Sequence, residues 1–542
     1  MNVRTIVSGA VAALAGMVGV AQAQNNKPNV LVIITDQFNA SVMGCQGHAD
    51  ARTPNLDKMA ARGTLYNRAY TPNAVSGPAR MSLMTGLHPH TTGEMENGAF
   101  ESTPIKESYP MPVAFHDNGY TTYMIGKFHL FGRAMDGWDV LLPYTSKEGP
   151  DSYNEWIEKQ GQAEEFGEDW AAEMGEFPPG NSLAGKKFPR AEMGTRTSKL
   201  DPMNTMEAYA SQRTIDVLRD HAASGKPFFC YTSLYRPHQP YTPVELYLKN
   251  YQYSRWGKGT RYGDAIAKPA TLEQPADQLP PLLQSWRHND GGGIWCLGKA
   301  AKDEQLYRNY IASYYALVEE IDHWVGEIFA ELDRDGLAKN TIVIFTSDHG
   351  DFVGSHGMIE KCATGHNVYE ATLRIPLIFV WDDHVKKGVR SEDLTGLLDI
   401  YPTLADMCSL KMPKLKWPMS GTSLKANLTE GQKLDRKYLV SENWSQSTVI
   451  TPDYKLGTWL EVPKQIANRD YRSFGDMFFD RAKDPGEVDN AFKESKYAAQ
   501  IKQLEAYRDE FYARTSDLGK QERADGNKAR AKKGQAGTPT AK

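Results

Sequence analysis

The 542-residue chain lacks the marks of a stapled secreted domain, a membrane protein or a nucleic-acid binder. Its five cysteines, Cys45, Cys230, Cys296, Cys362 and Cys408, are odd in number and widely separated. None stands in Cys-x-x-Cys spacing, which excludes a disulfide framework or a zinc knuckle and reads as buried structural thiols, although one bridge is compatible with an oxidising compartment. An excess of charge of one sign is also missing: 62 Lys and Arg against 67 Asp and Glu leave −5, too mild to call for a nucleic-acid partner. Beyond the first residues no apolar run reaches the ~20 residues that span a bilayer, so stable membrane insertion is not expected. There is no internal repeat.

What is present suits a folded enzyme in two parts. Hydrophobic residues at 40% and aromatics at 11% argue against disorder, and the length fits one large domain with a smaller companion. Arg4 precedes the apolar stretch Ile6 to Val20, and Ala21-Gln22-Ala23 supplies a small-x-small cleavage pattern. This reads as a signal peptide, residues 1–23, cut after Ala23, leaving a periplasmic or secreted product; no cysteine stands there to carry a lipid.

Asn29-Val-Leu-Val-Ile-Ile-Thr35 runs into Asp36, and Thr341-Ile-Val-Ile-Phe-Thr-Ser347 runs into Asp348. Both read as buried parallel strands, with further strands at 226–233 and 375–380 and helices at 211–221 and 306–333. The expected fold is α/β, a large, mostly parallel sheet flanked by helices over residues 24–430, with ligands gathering beyond the strands' carboxyl ends. Residues 431–515 change to short strands and a closing helix, a small α+β subdomain, and 516–542 read as a disordered basic tail. Two aperiodic stretches, 143–204 and 247–299, read as insertions that shape a pocket or as plain surface loops.

The chemistry begins at Ala74-Val-Ser-Gly-Pro-Ala-Arg-Met-Ser-Leu-Met-Thr-Gly86, where Ser76 and Arg80 sit four apart at a helix start with Pro78 in the first turn. A helix N-terminus suits an anion, yet a serine there is more often only an N-cap. Gly126-Lys-Phe-His129 offers a fixed cation, Lys127, and a proton carrier, His129, which two-residue spacing puts on one side of an extended chain. Asp36, Gln37, Asp348 and His349, two pairs just past two strands, can converge on one hard cation.

These segments resemble the two signature sequences of the formylglycine-dependent sulfatases of the alkaline phosphatase superfamily. Arg236-Pro-His-Gln-Pro240, Ser347-Asp-His-Gly-Asp351 with Lys361, Tyr369-Glu370, and Asp484-Pro-Gly-Glu487 extend the likeness over residues 28–490. The resemblance implies a sulfuric ester hydrolase of the Ser-type bacterial class, in which Ser76 is oxidised to formylglycine by a radical maturating enzyme of the anaerobic type. It implies calcium on Asp36, Gln37, Asp348 and His349, facing the modified Ser76, although many relatives carry Asp for Gln37 and Asn for His349. Arg80 and Lys127 would hold and orient, His129 would act as base, and His238 and Lys361 as general acids. Charges ~4 Å apart are worth about 4 kcal/mol at an effective dielectric near 20, enough for such a cluster to polarise a sulfate.

His366, Arg374, Trp286 and Arg287 are candidates for substrate contact, with packing an equal alternative, and His88, His90 and His356 have no assigned role. Long aromatic stretches suit a sulfated glycan substrate. A phosphatase or phosphodiesterase on the same scaffold and a silent glycan-binding relative are the rival readings. The single-cation ligand set speaks against the first, and the full complement of expected catalytic side chains against the second.

Overall fold

The computed structural model describes residues 27–98, 102–145, 147–174, 187, 191–251, 266–280, 283–284, 304–361, 368–443, 446–459 and 475–515. The expected signal peptide and basic tail, and with them Trp286, Arg287 and His366, lie outside the described residues.

β1 (Asn29–Asp36) is buried from end to end, as its run of β-branched residues and leucine requires. In chain order there follow β2 (Thr64–Tyr66), β3 (Ala69–Tyr70), β4 (Thr121–Gly126), β5 (Val140–Pro143), β6 (Phe228–Pro237), β7 (Thr341–Ser347), β8 (Leu377–Val380), β9 (Val389–Ser391) and β10 (Thr395–Gly396). A last group is β11 (Leu439–Asn443), β12 (Gln446–Ile450), β13 (Tyr454–Trp459) and β14 (Met477–Asp480). The main sheet has eight strands in the order β5-β4-β6-β1-β7-β8-β2-β9, and only β8 runs against the rest. β1 lies between β6 and β7, with Val32 opposite both Tyr231 and Ile344.

Seven helices bear on the site: α1 (Ser76–Thr85), α2 (Tyr153–Lys159), α3 (Ala163–Met174), α4 (Met206–Ser224), α5 (Glu304–Arg334), α6 (Ile400–Met407) and α7 (Ala498–Thr515). Alternation along β1 assigns the two faces of the sheet. Leu31 and Ile33 join α4 and α5 in one core, while Val30, Val32 and Ile34 join α1 and α6 in another. α5 meets its core with Tyr307, Tyr310, Ile311, Tyr314, Leu317, Val318 and Ile321, a helical stripe of aromatic and aliphatic side chains. Each such aliphatic side chain contributes about 1.5–3 kcal/mol over its exposed state. α4 is fixed at both ends: the Thr205 hydroxyl accepts from the Ala208 amide, and Gly225 ends it in the left-handed conformation.

The stretch 143–204 is not a surface loop throughout. It contains α2 and α3, and Tyr153, Ile157 and Phe166 are buried in the same core as α5. Short helices rich in aromatics gave too weak a periodicity to stand out. β11 to β14 form an antiparallel meander on which α7 lies, with Val440, Val449, Leu456 and Phe478 against Ile501, Leu504 and Phe511. This small sheet is tied to the main body by buried charge: Lys455 bonds Glu370 at 2.9 Å and also Glu487, whose other oxygen accepts from the Glu370 amide at 2.6 Å. The late markers Tyr369-Glu370 and Asp484 to Glu487 thus belong to a joint between two parts of the chain. Cys45, Cys230 and Cys408 are free thiols, the last two buried, and among the described residues no helix is long and apolar enough to cross a membrane.

Candidate active site

Thr35 pairs with Ser347 where β1 and β7 end, so the residues after each strand emerge side by side. Oxygens of Asp36 and Asp348 and a ring nitrogen of His349 lie within 4.8 Å of one another, all fully buried. Asp36 Oδ1 has no hydrogen-bond partner. His349 Nδ1 lies 3.0 Å from the Gly350 carbonyl, to which it can only donate; that assigns the tautomer and turns the Nε2 lone pair toward the carboxylates. Burial pushes the His349 pKa down to about 4, so the ring is neutral near pH 7. A buried carboxylate oxygen without a partner, beside a second carboxylate and a neutral imidazole, fits a divalent cation.

Gln37, in the left-handed conformation at φ 70°, donates its backbone amide to Asp348 at 3.1 Å. Its side chain is held at both ends: Lys361 donates to Oε1 at 2.5 Å, and Nε2 donates to Asp351 at 2.7 Å, with Gln239 Oε1 at 3.1 Å and the Tyr241 hydroxyl at 3.3 Å also within reach. Only a second lone pair on Oε1 is left for a metal.

Ser76 is the first residue of α1, and the N-cap position before it belongs to Val75. The Ser76 Oγ lies 3.1 Å from Asp36 Oδ2 and 3.1 Å from His349 Nε2. The hydroxyl points at the carboxylate cluster and not back along its own helix. One turn on, Arg80 is fully buried and uses its whole fork: Nε to Asp348 at 2.8 Å, one terminal nitrogen to Asp36 at 3.2 Å, the other to Ser233 at 2.7 Å. Lys127 reaches the same Asp36 oxygen at 2.5 Å. Burial opposes ionisation of Asp36, but Lys127, His238, Arg80 and His349 outweigh it and hold its carboxyl well below the usual range.

Lys127 and His129 do not share one extended face. β4 ends at Gly126, where φ is 93° and a Cβ would fall 2.1 Å from the Ser233 carbonyl oxygen. Only glycine allows the turn that brings the Lys127 amide to that carbonyl at 2.9 Å. His129 follows at φ 50°. Burial, then the nearby cations Lys127 and Arg80, pushes His129 down to about 3, so it stands neutral and able to accept a proton. His238 sits in a loop held by Arg236, which donates to the His238 carbonyl at 3.2 Å and to Thr242 at 2.8 Å. Its Nδ1 is on the Gln239 carbonyl at 2.8 Å, leaving Nε2 4.0 Å from Asp36. Burial and the charges of Lys361 and Lys127 hold His238 well below its ordinary pKa, and a bound anion would oppose that.

The arrangement can therefore hold one cation, one tetrahedral anion and a nucleophile at position 76, with a proton acceptor and a possible donor nearby. A family model described as Sulfatase matches residues 28–409, and one described as N-sulphoglucosamine sulphohydrolase, C-terminal, matches 354–512. The chain belongs to the sulfatase family.

An arylsulfatase of Clostridium perfringens is 28% identical over 88% of this sulfatase and 93% of its own length. An N-acetylglucosamine-6-O-sulfatase of Bacteroides thetaiotaomicron is 24% identical over 89% and 85%. In fold, a phosphonate monoester hydrolase from Silicibacter pomeroyi superposes with a TM-score of 0.71 at 20% identity, covering 90% of this chain and 96% of that one. This sulfatase is thus a sulfuric ester hydrolase of the alkaline phosphatase superfamily.

The structure gathers Asp36, Gln37, Ser76, Arg80, Lys127, His129, His238, Asp348, His349 and Lys361 in one place. Arg374 is tied to the Asn67 carbonyl at 3.3 Å and to Glu370 at 3.5 Å, a packing role. His356 bonds Gln274 at 2.5 Å, and His88 and His90 lie against α7.

Sequence reading missed the support under the metal ligands. Asp351 receives Gln37, the Tyr310 hydroxyl at 2.6 Å, the Tyr241 hydroxyl at 3.2 Å and the Val353 amide at 2.7 Å. Tyr314 donates to the Gln37 carbonyl at 2.7 Å. The signal was available: two tyrosines one turn apart on the buried stripe of α5, and an aspartate inside the Ser347 to Asp351 segment.

Proposed function

We propose that this sulfatase is exported and hydrolyses sulfate esters of carbohydrates through a formylglycine made from Ser76. The reading is carried by Ser76 Oγ, placed at equal distance from Asp36 and His349 on the helix whose next turn delivers Arg80. The sugar class is supported by the N-acetylglucosamine-6-O-sulfatase among its relatives. Export is supported by Arg4, the apolar stretch and Ala21-Gln22-Ala23, and a serine nucleophile calls for a radical maturating enzyme that acts before export.

A hydrated aldehyde at residue 76 supplies one hydroxyl to attack sulfur and a second whose deprotonation releases sulfate and restores the aldehyde. Calcium on Asp36, Asp348, His349 and Gln37 would neutralise sulfate charge in the same place. Arg80 and Lys127 hold the sulfate oxygens and orient the nucleophile. The negative charge of a bound sulfate opposes the burial that keeps His238 neutral, and Nε2 of the ring so protonated, with Lys361 beside it, gives its proton to the departing alcohol oxygen, while His129 takes the proton from residue 76.

Peptide mass spectrometry of enzyme from a competent host is expected to show residue 76 lighter than serine by two hydrogens. Ser76→Ala should abolish turnover with folding retained. Full activity from wholly unmodified Ser76 would sink the mechanism, and an aryl phosphate or phosphonate turned over faster than an aryl sulfate would favour phosphoryl transfer.

A further inference from the structure

Four buried polar side chains on segments that adjoin one another, one of them against the residue after the nucleophile, do not have all their hydrogen bonds. Both carboxyl oxygens of Glu94, Oδ1 of Asn73, and both amide ends of Asn443 and Gln446 lack any partner among the described residues. None of the four is more than 4% exposed. Burying an unpaired polar group is costly, and natural proteins rarely keep several together without a use for them.

They also belong together. A Cβ on Gly77, the residue after the nucleophile, would lie 3.1 Å from Glu94 Oε1, so the carboxyl rests against the first turn of α1. Asn73, three residues before Ser76, donates its amide to the Met95 carbonyl at 3.4 Å, which brings it beside Glu94. The Pro72 carbonyl accepts from the Glu442 amide at 2.8 Å, which brings the end of β11 beside Asn73. Asn443 follows Glu442, and Gln446 is its direct cross-strand partner on β12. The end of β11, the start of β12 and the segments on either side of α1 therefore adjoin one another and carry a run of unused donors and acceptors.

We propose that Asn73, Glu94, Asn443 and Gln446 form a subsite for the leaving alcohol, and that it takes a neutral sugar ring bearing hydroxyl or acetamido groups. The inference rests on the sulfatase reading above and narrows its substrate class. Amides offer a donor and an acceptor each, which matches vicinal hydroxyls. The four side chains carry no positive charge, so the hydrogen bonds they offer suit a neutral ring better than one bearing a second sulfate or a carboxylate. Burial alone pushes the Glu94 carboxyl up to about 9, so near pH 7 it is a neutral acid that can both donate and accept.

The test compares wild type, Glu94→Gln and Glu94→Met on 4-nitrophenyl sulfate and on singly sulfated hexoses and N-acetylhexosamines, with disulfated counterparts alongside. Wild type should favour a singly sulfated sugar over its disulfated counterpart by about tenfold or more in kcat/KM. Loss of two hydrogen bonds to the ring is expected to cost ~10–100-fold, so Glu94→Met should lose at least ~10-fold more on the sugar sulfate than on nitrophenyl sulfate. Glu94→Gln, isosteric with the neutral acid, should keep most of the sugar activity. Glu94→Met should melt no lower than wild type, because it removes an unpaired buried acid. Equal losses on both substrates, no loss on the sugar, a preference for disulfated sugars, or a lower melting point would each overturn the subsite. If the subsite fails while nitrophenyl sulfate is still cleaved, the sulfatase reading stands; if no sulfate ester is cleaved, both fall.

Discussion

A sugar alkoxide is a poor leaving group, whereas nitrophenolate departs without a proton, and this difference isolates the work of His238. His238→Ala should cost a large part of ~10²–10⁴-fold on a sugar sulfate and far less on nitrophenyl sulfate, read as kcat/KM on the two substrates. Arg80→Ala and Lys127→Ala act on the shared sulfate and on Asp36, and should hurt both substrates alike. Equal losses in His238→Ala would make that ring a sulfate holder and pass the acid role to Lys361. Single residues of this kind were legible because each stands in a long spaced pattern. Asp351 and Glu94 were not, because their importance lies in what surrounds them: Asp351 in four donors drawn from four segments, Glu94 in a carboxyl with no partner among the described residues.

At the scale of elements, β1 and β7 could be read from their unbroken β-branched runs, and so could α4 and most of α5 from periodicity. The reversed direction of β8 could not, since an apolar run is the same in either sense and only its partners fix it. Nor could the way α5 braces the site. Tyr310 reaches from that helix to Asp351, which holds Gln37 beside the two carboxylates, so the helix sets the ligand geometry from behind. Tyr310→Phe keeps the ring packing and deletes one hydrogen bond to a buried carboxylate. Affinity for a divalent cation, measured by titration into metal-free enzyme with activity as a second readout, should fall by roughly 10–100-fold. An unchanged affinity would show that Gln37 and Asp351 act only in packing.

At the scale of the whole molecule, the small sheet and α7 close on the main body through a joint that senses acid. His88 is buried with its ring edge-on to Phe511 of α7 at 4.7 Å and stacked on His90 at 5.8 Å. His90 bonds Glu442 of β11 at 2.6 Å, and Tyr512 donates to the other Glu442 oxygen at 2.8 Å. Burial, then His90, with Arg514 and Arg436 adding, pushes His88 down to about 3, against an opposing pull from Glu442. Burial disfavours charge on Glu442 as well, yet His90, His88 and Tyr512 outweigh it and bring that carboxyl to about 2. Between pH 6.5 and 3 the unfolded chain binds a proton at residue 88 that the folded chain refuses, so this stability is whole above 6.5 and drains as pH falls. Each pH unit of that window should remove about 1.4 kcal/mol, and Glu442 adds a second loss of the same sign from its ordinary 4.5 downward. His88→Phe keeps a ring against Phe511 and takes away the titration. Denaturant midpoints should therefore stay level from pH 8 to about 6.5 and fall from there to pH 5 in the wild type, staying flatter in the variant, and parallel curves would place the acid sensitivity elsewhere.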